Sequence, residues 1–137
     1  MSQKKIMFLG ASAQQMPPIL YAVEQGYYVI TCDYIPENPG HELAHEWYNV
    51  STTDKEAILA LAQKLKIDGI VAYASDPAAP TQAYVAEKMG LPGNPYKSVL
   101  ILARKDLFRD FLAKNDFLVP KSKAFYELGE AKEWLED

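Results

Sequence analysis

Three short apolar runs that do not alternate with polar residues constrain this chain more than any other feature: "IMFL" over Ile6 to Leu9, "YYVITC" ahead of Asp33, and "IDGIVAYA" ending at Ala74. A strand with one wet face alternates apolar and polar residues, because successive side chains point to opposite sides. Runs that are apolar at every position belong to strands covered on both faces, as in a parallel sheet between two helical layers. The intervening segments have helical spacing. In "MPPILYAVEQG", Pro17 and Pro18 fit a first turn, where the missing N–H costs nothing, and Gly26 is a stop. Thr53-Asp54-Lys55-Glu56 fits a capping box ahead of the stripe Ala57, Ile58, Leu61, Ala62 and Leu65. A third helix runs from about Pro80 to Met89, stopped by Gly90. With a weaker strand over Trp47 to Val50, the order β-α-β-β-α-β-α predicts an α/β fold: a three-layer parallel sheet with right-handed crossovers.

In such sheets ligands bind beyond the carboxyl ends of the strands. That rule selects the loop after Leu9, the turn around Asp33 and the loop after Ala74, with Gly10, Ser12, Asp33, Ser75 and Asp76 as candidate binding residues. Gly10 and the acidic Asp33 have the spacing of a dinucleotide fingerprint, but the three glycine positions of that motif hold Gly10, Ser12 and Gln15. A side chain at the second position blocks the approach of a pyrophosphate, so NAD is disfavoured. What remains is a helix N-terminus with N–H groups free for a carboxylate or small anion, or simply a tight strand-to-helix turn. Asp33 can receive a ligand hydroxyl or amine, or cap the turn "DYIPENPG". Ser75 and Asp76 can equally cap the helix that follows.

The segment "HELAH", His41 to His45, fits the H-E-x-x-H zinc-protease pattern. That pattern works only on a helix, and Pro36, Pro39 and Gly40 upstream with "EWYNVS" downstream leave about one and a half turns. The chain has no third histidine, whereas catalytic zinc takes three protein ligands, so a connecting turn is the expectation and no metal site is assigned. At 137 residues the chain is one domain's worth, and 49% hydrophobic content is ordinary for a globular protein. A net charge of -4 argues against a nucleic-acid partner, which needs a basic face. Cys32 is alone and cannot form an internal disulfide, and no apolar run reaches membrane-spanning or signal-peptide length. The expectation is a cytoplasmic protein with no membrane partner. Nine tyrosines and two tryptophans are compatible with a homodimer interface, although core packing is their commoner use.

Beyond Gly90 the texture changes. A rigid turn, "LPGNP", leads into one helical piece carrying Val99, Leu100 and Leu102 and a second carrying Leu107, Phe108, Phe111 and Leu112. "KSKAF" has the look of a returning strand, and "LGEAKEWLED" begins an amphipathic helix whose Trp134 and Leu135 need burial. A domain boundary rarely falls inside such a helix, so an N-terminal fragment of a longer protein is expected.

The order of "IMFLGASAQQMPPILYAVEQGYYVITCDYIPENPG", "DGIVAYASDPAAPTQAYVAEKMGLPG" and "ARKDLFRDFLAKNDFLVPKSKAF" resembles the beginning of an ATP-grasp ligase. The likeness is greatest to the carbamoyl phosphate synthetase large subunit and its relatives, among them biotin carboxylase and purine-biosynthesis carboxylate ligases. It implies a Rossmann-like pre-ATP-grasp domain over residues 1–95, with 96–137 as linking helices and the start of the ATP-grasp domain. It implies ATP and Mg²⁺ as cofactors, a carboxylate or bicarbonate substrate activated as an acyl phosphate, and the remaining ATP-grasp domain as partner. By the resemblance Lys105 contacts the ATP phosphates, and the loops at Gly10 and Ser75 approach the second substrate. Arg109 is expected to pair with Asp106 or Asp110. The Mg²⁺ ligands of the family would lie after Asp137, so this stretch alone is expected to be inactive. The competing reading is a stand-alone Rossmann-like module that binds a nucleotide or sugar nucleotide.

Overall fold

The computed structural model describes residues 3–136. Strand β1 (Lys5–Leu9) is followed by helix α1 (Met16–Glu24), β2 (Tyr28–Asp33), β3 (Glu46–Asn49), α2 (Lys55–Leu65), β4 (Gly69–Val71) and α3 (Ala79–Met89). Three further helices follow: α4 (Tyr96–Ala103), α5 (Lys105–Lys114) and α6 (Leu128–Glu136). The strands form one parallel sheet in the order β3-β2-β1-β4, the α/β arrangement expected from the apolar runs.

The absence of alternation has a direct cause in the packing. Met7 and Leu9 of β1 and Ile30 and Cys32 of β2 join Ile58 and Ala62 of α2 and Val85 and Ala86 of α3 in one core. Phe8 and Val29, on the opposite face of the same strands, pack with Ile19 and Ala22 of α1. Each face is therefore apolar because each is roofed by helices. Burial pushes the Cys32 thiol up to about 12, so it is a core residue rather than a nucleophile.

Several local expectations are corrected. The cap of α2 is Asp54, whose Oδ1 accepts from the Ala57 N–H at 3.0 Å, while Thr53 instead meets the Ser51 hydroxyl at 3.0 Å. The third apolar run supplies only Gly69–Val71 to the sheet, because β4 is an edge strand paired to β1 alone. "KSKAF" forms no strand: among the described residues no sheet edge pairs with it. Asp106 pairs with Arg104, two residues before it, rather than with Arg109.

Both histidines are absorbed by the connection between β2 and β3. Pro39–Leu43 is a short 3-10 turn. His41 is buried, with Nε2 donating to the Ile35 carbonyl (3.2 Å) and Nδ1 accepting from the Thr31 hydroxyl (2.8 Å). His45 Nδ1 accepts from the Val29 N–H at 3.0 Å and its ring stacks on Tyr28 at 4.7 Å. The imidazoles thus brace β2 from separate positions. Among the described residues no three His, Cys, Asp or Glu side chains gather as a metal group, and no helix is long and apolar enough to cross a membrane.

On the solvent edge of β2 and β3, Glu46 accepts from the Tyr28 hydroxyl (2.6 Å) and the Tyr48 hydroxyl (2.8 Å). The two donors, Tyr28 first, hold the Glu46 carboxyl below its ordinary range. A depressed carboxylate pKa contributes stability above the unfolded-state value and loses it as pH falls through the folded value. Replacing Tyr28 with phenylalanine should therefore lower Tm slightly and by a constant amount at neutral pH. The difference should close as pH drops below the ordinary glutamate range, which thermal melts across pH 3 to 7 would read.

The helices past residue 95 are tied to the sheet domain through α4. Tyr96 donates its N–H to Glu87 Oε2 at 3.0 Å, and its ring meets Tyr84 edge-on at 5.3 Å. Lys55 Nζ lies 4.6 Å from the Tyr84 ring centroid and within 3.4 Å of the Tyr96 hydroxyl. This clamp joins α2, α3 and α4 and so sets where α5 begins.

Candidate functional site

The loops after β1, β2, β3 and β4 converge at the carboxyl ends of the strands around a cleft of about 470 Å³. Its walls include Gly10, Ser12, Asp33, Ser51, Thr53 and Ser75. The strand-tip rule thus brings together four of the five predicted binding residues.

The first loop leaves β1 through Gly10 at φ +105°, a conformation open to glycine and strained for other residues. A Cβ there would also press on the Gln15 side chain at 3.2 Å. The N–H groups of the turn do not face the cleft. Gly10 donates to the Cys32 carbonyl (2.8 Å), Ala11 to Asp33 Oδ2 (3.0 Å) and Ser12 to Gln15 Oε1 (2.9 Å). The N–H groups of Gly10, Ala11 and Ser12 are thereby spent inside the protein.

Gln15 is the residue that the motif comparison pointed to only as a mismatch. It is buried, its Oε1 receives both the N–H and the hydroxyl of Ser12, and its Nε2 donates to the Tyr73 carbonyl at 2.9 Å. One amide therefore ties the β1 loop to the β4 loop and fills the space that a third fingerprint glycine would leave open. Its position in that motif was the available signal.

Asp33 lines the cleft, but its carboxylate is largely committed. Oδ2 accepts from Ala11 N–H (3.0 Å) and Asn38 Nδ2 (2.9 Å), and Oδ1 accepts from Ile35 N–H (3.1 Å). The turn-capping alternative accounts for the bonds from Ile35 and Asn38, the Ala11 bond ties the turn to the first loop, and Oδ1 keeps one lone pair beyond its bond from Ile35. Gly40 closes the same network from outside by donating to the Ala11 carbonyl at 2.7 Å. On the β4 side Ala74 stands at φ 49°, the left-handed region that costs a non-glycine residue about 1–2 kcal/mol. Such strain is found where a loop is held in a set shape.

Lys105 and Asp76 lie elsewhere. They share a neighbouring groove of about 470 Å³ with Gln82, Asn94, Val99 and Leu102, between α3, α4 and the first residue of α5. Ser75 and Asp76 are adjacent in the chain yet line different clefts, so the strand-four loop is the wall between them. Lys105 is exposed, and Arg104 beside it is held by Asp106.

No family model matches the chain. It is 28% identical, over 69% of its own length, to a formate-dependent phosphoribosylglycinamide formyltransferase of Burkholderia mallei. It spans about 30% of the length of that curated relative. Among solved structures, phosphoribosylglycinamide synthetase from Anaerococcus prevotii superposes with a TM-score of 0.80 at 20% identity, covering 98% of this chain and 35% of that one. N5-carboxyaminoimidazole synthetase from Staphylococcus aureus, complexed with ADP, superposes with a TM-score of 0.70 at 21% identity, over 97% of this chain and 35% of that one.

Proposed function

From the premise that this chain has the fold of the N-terminal third of ATP-grasp enzymes, we propose that it is the substrate-presenting part of an ATP-dependent carboxylate–amine ligase. The observation that carries the reading is the pair of adjoining clefts: one at the strand tips, lined by hydroxyls and amides, and one beside it containing Lys105. Bound ATP with Mg²⁺ supplies the phosphoryl group that converts a carboxylate or bicarbonate into an acyl phosphate open to attack by an amine.

Lys105 fits the phosphate end of such a nucleotide. It is an exposed ammonium at the start of α5, where the helix dipole also favours an anion, and no carboxylate is bonded to it among the described residues. Val99 and Leu102 give its groove an apolar wall. Asp76 on the other wall is adjacent in the chain to Ser75, so the two clefts are neighbours across the strand-four loop. Residues 1–95 form the presenting domain in this reading, and 96–137 the link to the ATP-clasping domain. The Mg²⁺ ligands belong to that further domain. Gln15, packed where a dinucleotide would approach the first loop, weighs against the stand-alone nucleotide-binding alternative.

The test is kinetic. In the protein carrying its clasping domain, Lys105→Ala should raise the KM for ATP by roughly tenfold or more, as loss of a charged phosphate contact implies, and Lys105→Arg should recover most of it. An ATP KM unchanged in Lys105→Ala would refute the assignment.

A further inference from the structure

We infer that the cleft at the strand tips takes a phosphate-free hydroxylated amine, a small molecule recognised by its hydroxyl and ammonium groups. The inference rests on the ligase reading for its reaction, in which such an amine is the nucleophile, but its binding chemistry stands on the cleft alone.

Three observations converge. First, Asp33 is the one charged side chain among the described residues lining the cleft, and it is an acid. A phosphate ester would enter a site with a carboxylate and no lining cation, which Coulomb repulsion disfavours. Second, the first three backbone donors after β1 are turned inward. Gly10, Ala11 and Ser12 all donate to protein acceptors, and Gln15 Oε1 and Asp33 Oδ2 occupy the positions that an anion's oxygens would take. Third, two acceptors stand together at the base of the cleft. The Ser12 hydroxyl spends its proton on Gln15 Oε1 at 2.5 Å and retains lone pairs, and Asp33 Oδ1 retains one beyond its bond from Ile35. This pair, next to the cleft's one carboxylate, suits a ligand that donates, and the hydroxyls of Thr52 and Ser75 can accept from it as well. Hydroxyl and ammonium groups donate, whereas a phosphate dianion only accepts.

The loop geometry supplies the selectivity. Gln15 holds Ser12 and the Tyr73 carbonyl together, so the acceptors are fixed before a ligand arrives. Tyr34 and Ile35, exposed at the rim beside Asp33, offer an aromatic and an apolar surface against the carbon face of a hydroxylated ligand.

The experiment uses the ¹⁵N-labelled chain and four probes: inorganic phosphate, D-ribose 5-phosphate, 2-amino-1,3-propanediol and D-glucosamine. The two amines should shift the amides of Ser12, Thr53 and Ser75 saturably, and Ser12→Ala should weaken them roughly fivefold, the worth of one hydrogen bond. The two phosphates should leave those amides unmoved. Saturable phosphate shifts in the cleft, or amides that stay put with both amines, would overturn the inference. Normal ATP kinetics in the Lys105→Ala enzyme would refute the reading of Lys105 while leaving the amine binding at the strand tips intact, so the two failures are distinguishable.

Discussion

Gly40→Ala should destabilise the protein by about 3 kcal/mol, at the upper end of what overpacking costs, with a fall in Tm on the order of 10 °C. A Cβ at Gly40 would stand 2.6 Å from the Ala11 carbonyl oxygen and 3.0 Å from its carbonyl carbon. The obstacle is backbone rather than the end of a flexible side chain. Ala11 cannot retreat, because it is fully buried and its N–H is held by Asp33. Relief of the clash therefore requires either the 3-10 turn at Pro39–Leu43 or the first loop to move, and the Gly40 N–H bond to Ala11 is lost either way. Thermal denaturation followed by circular dichroism measures the effect. A Tm within a degree or two of the parent would mean that the turn yields freely and that the close approach is not a constraint on the fold.

Asp33→Ala is the second large effect, expected to cost about 3 kcal/mol. Removing the carboxylate leaves the buried Ala11 N–H, the Ile35 N–H and the Asn38 amide without their acceptor. An unmet buried donor loses its hydration without recovering a partner, which is why the deletion costs more than the bond itself contributes. Asp33→Asn keeps one acceptor oxygen and should recover part of the loss. Urea denaturation should show a lower midpoint with an unchanged slope, since the folded core stays the same size. The Gly40→Ala and Asp33→Ala effects should not add, because both act on the position of Ala11, and a double-mutant cycle would expose that coupling. Full additivity would show that the two contacts hold the loop independently.

The parallel sheet was legible in the sequence because its cause is local in composition and general in physics. Met7, Phe8 and Leu9 are consecutive and all buried, which only a strand roofed on both faces allows. Helix ends were legible for the same kind of reason: Pro17 and Pro18 in a first turn, Gly26 and Gly90 at positive φ beyond helix ends. The strand-tip rule then located Gly10, Ser12, Asp33 and Ser75 around one cleft. It could not separate Asp76 from Ser75, because which wall of a loop a side chain lines depends on a turn whose shape includes a left-handed alanine. Nor could it assign Gln15, whose Nε2 partner, the Tyr73 carbonyl, is 58 residues away. The cap expected at Thr53 falls instead on Asp54, while the Thr53 hydroxyl is bonded to Ser51.

What the sequence by itself determined is the architecture: apolar runs and helical stripes leave one economical way to bury both faces of a parallel sheet, and the loops at its strand tips follow from that. What only the tertiary structure decided is the chemistry those loops present. A hydrogen bond's direction depends on which distant partner reaches it first, and here Asp33, Gln15 and Cys32 take the first-loop donors that local spacing left free. The same holds for His41 and His45, read from the sequence as part of a connecting turn, whose ring-nitrogen partners Thr31, Ile35 and Val29 only the fold supplies. Residue type and spacing are properties of the chain, but the availability of a donor or a lone pair is settled only when the chain closes on itself.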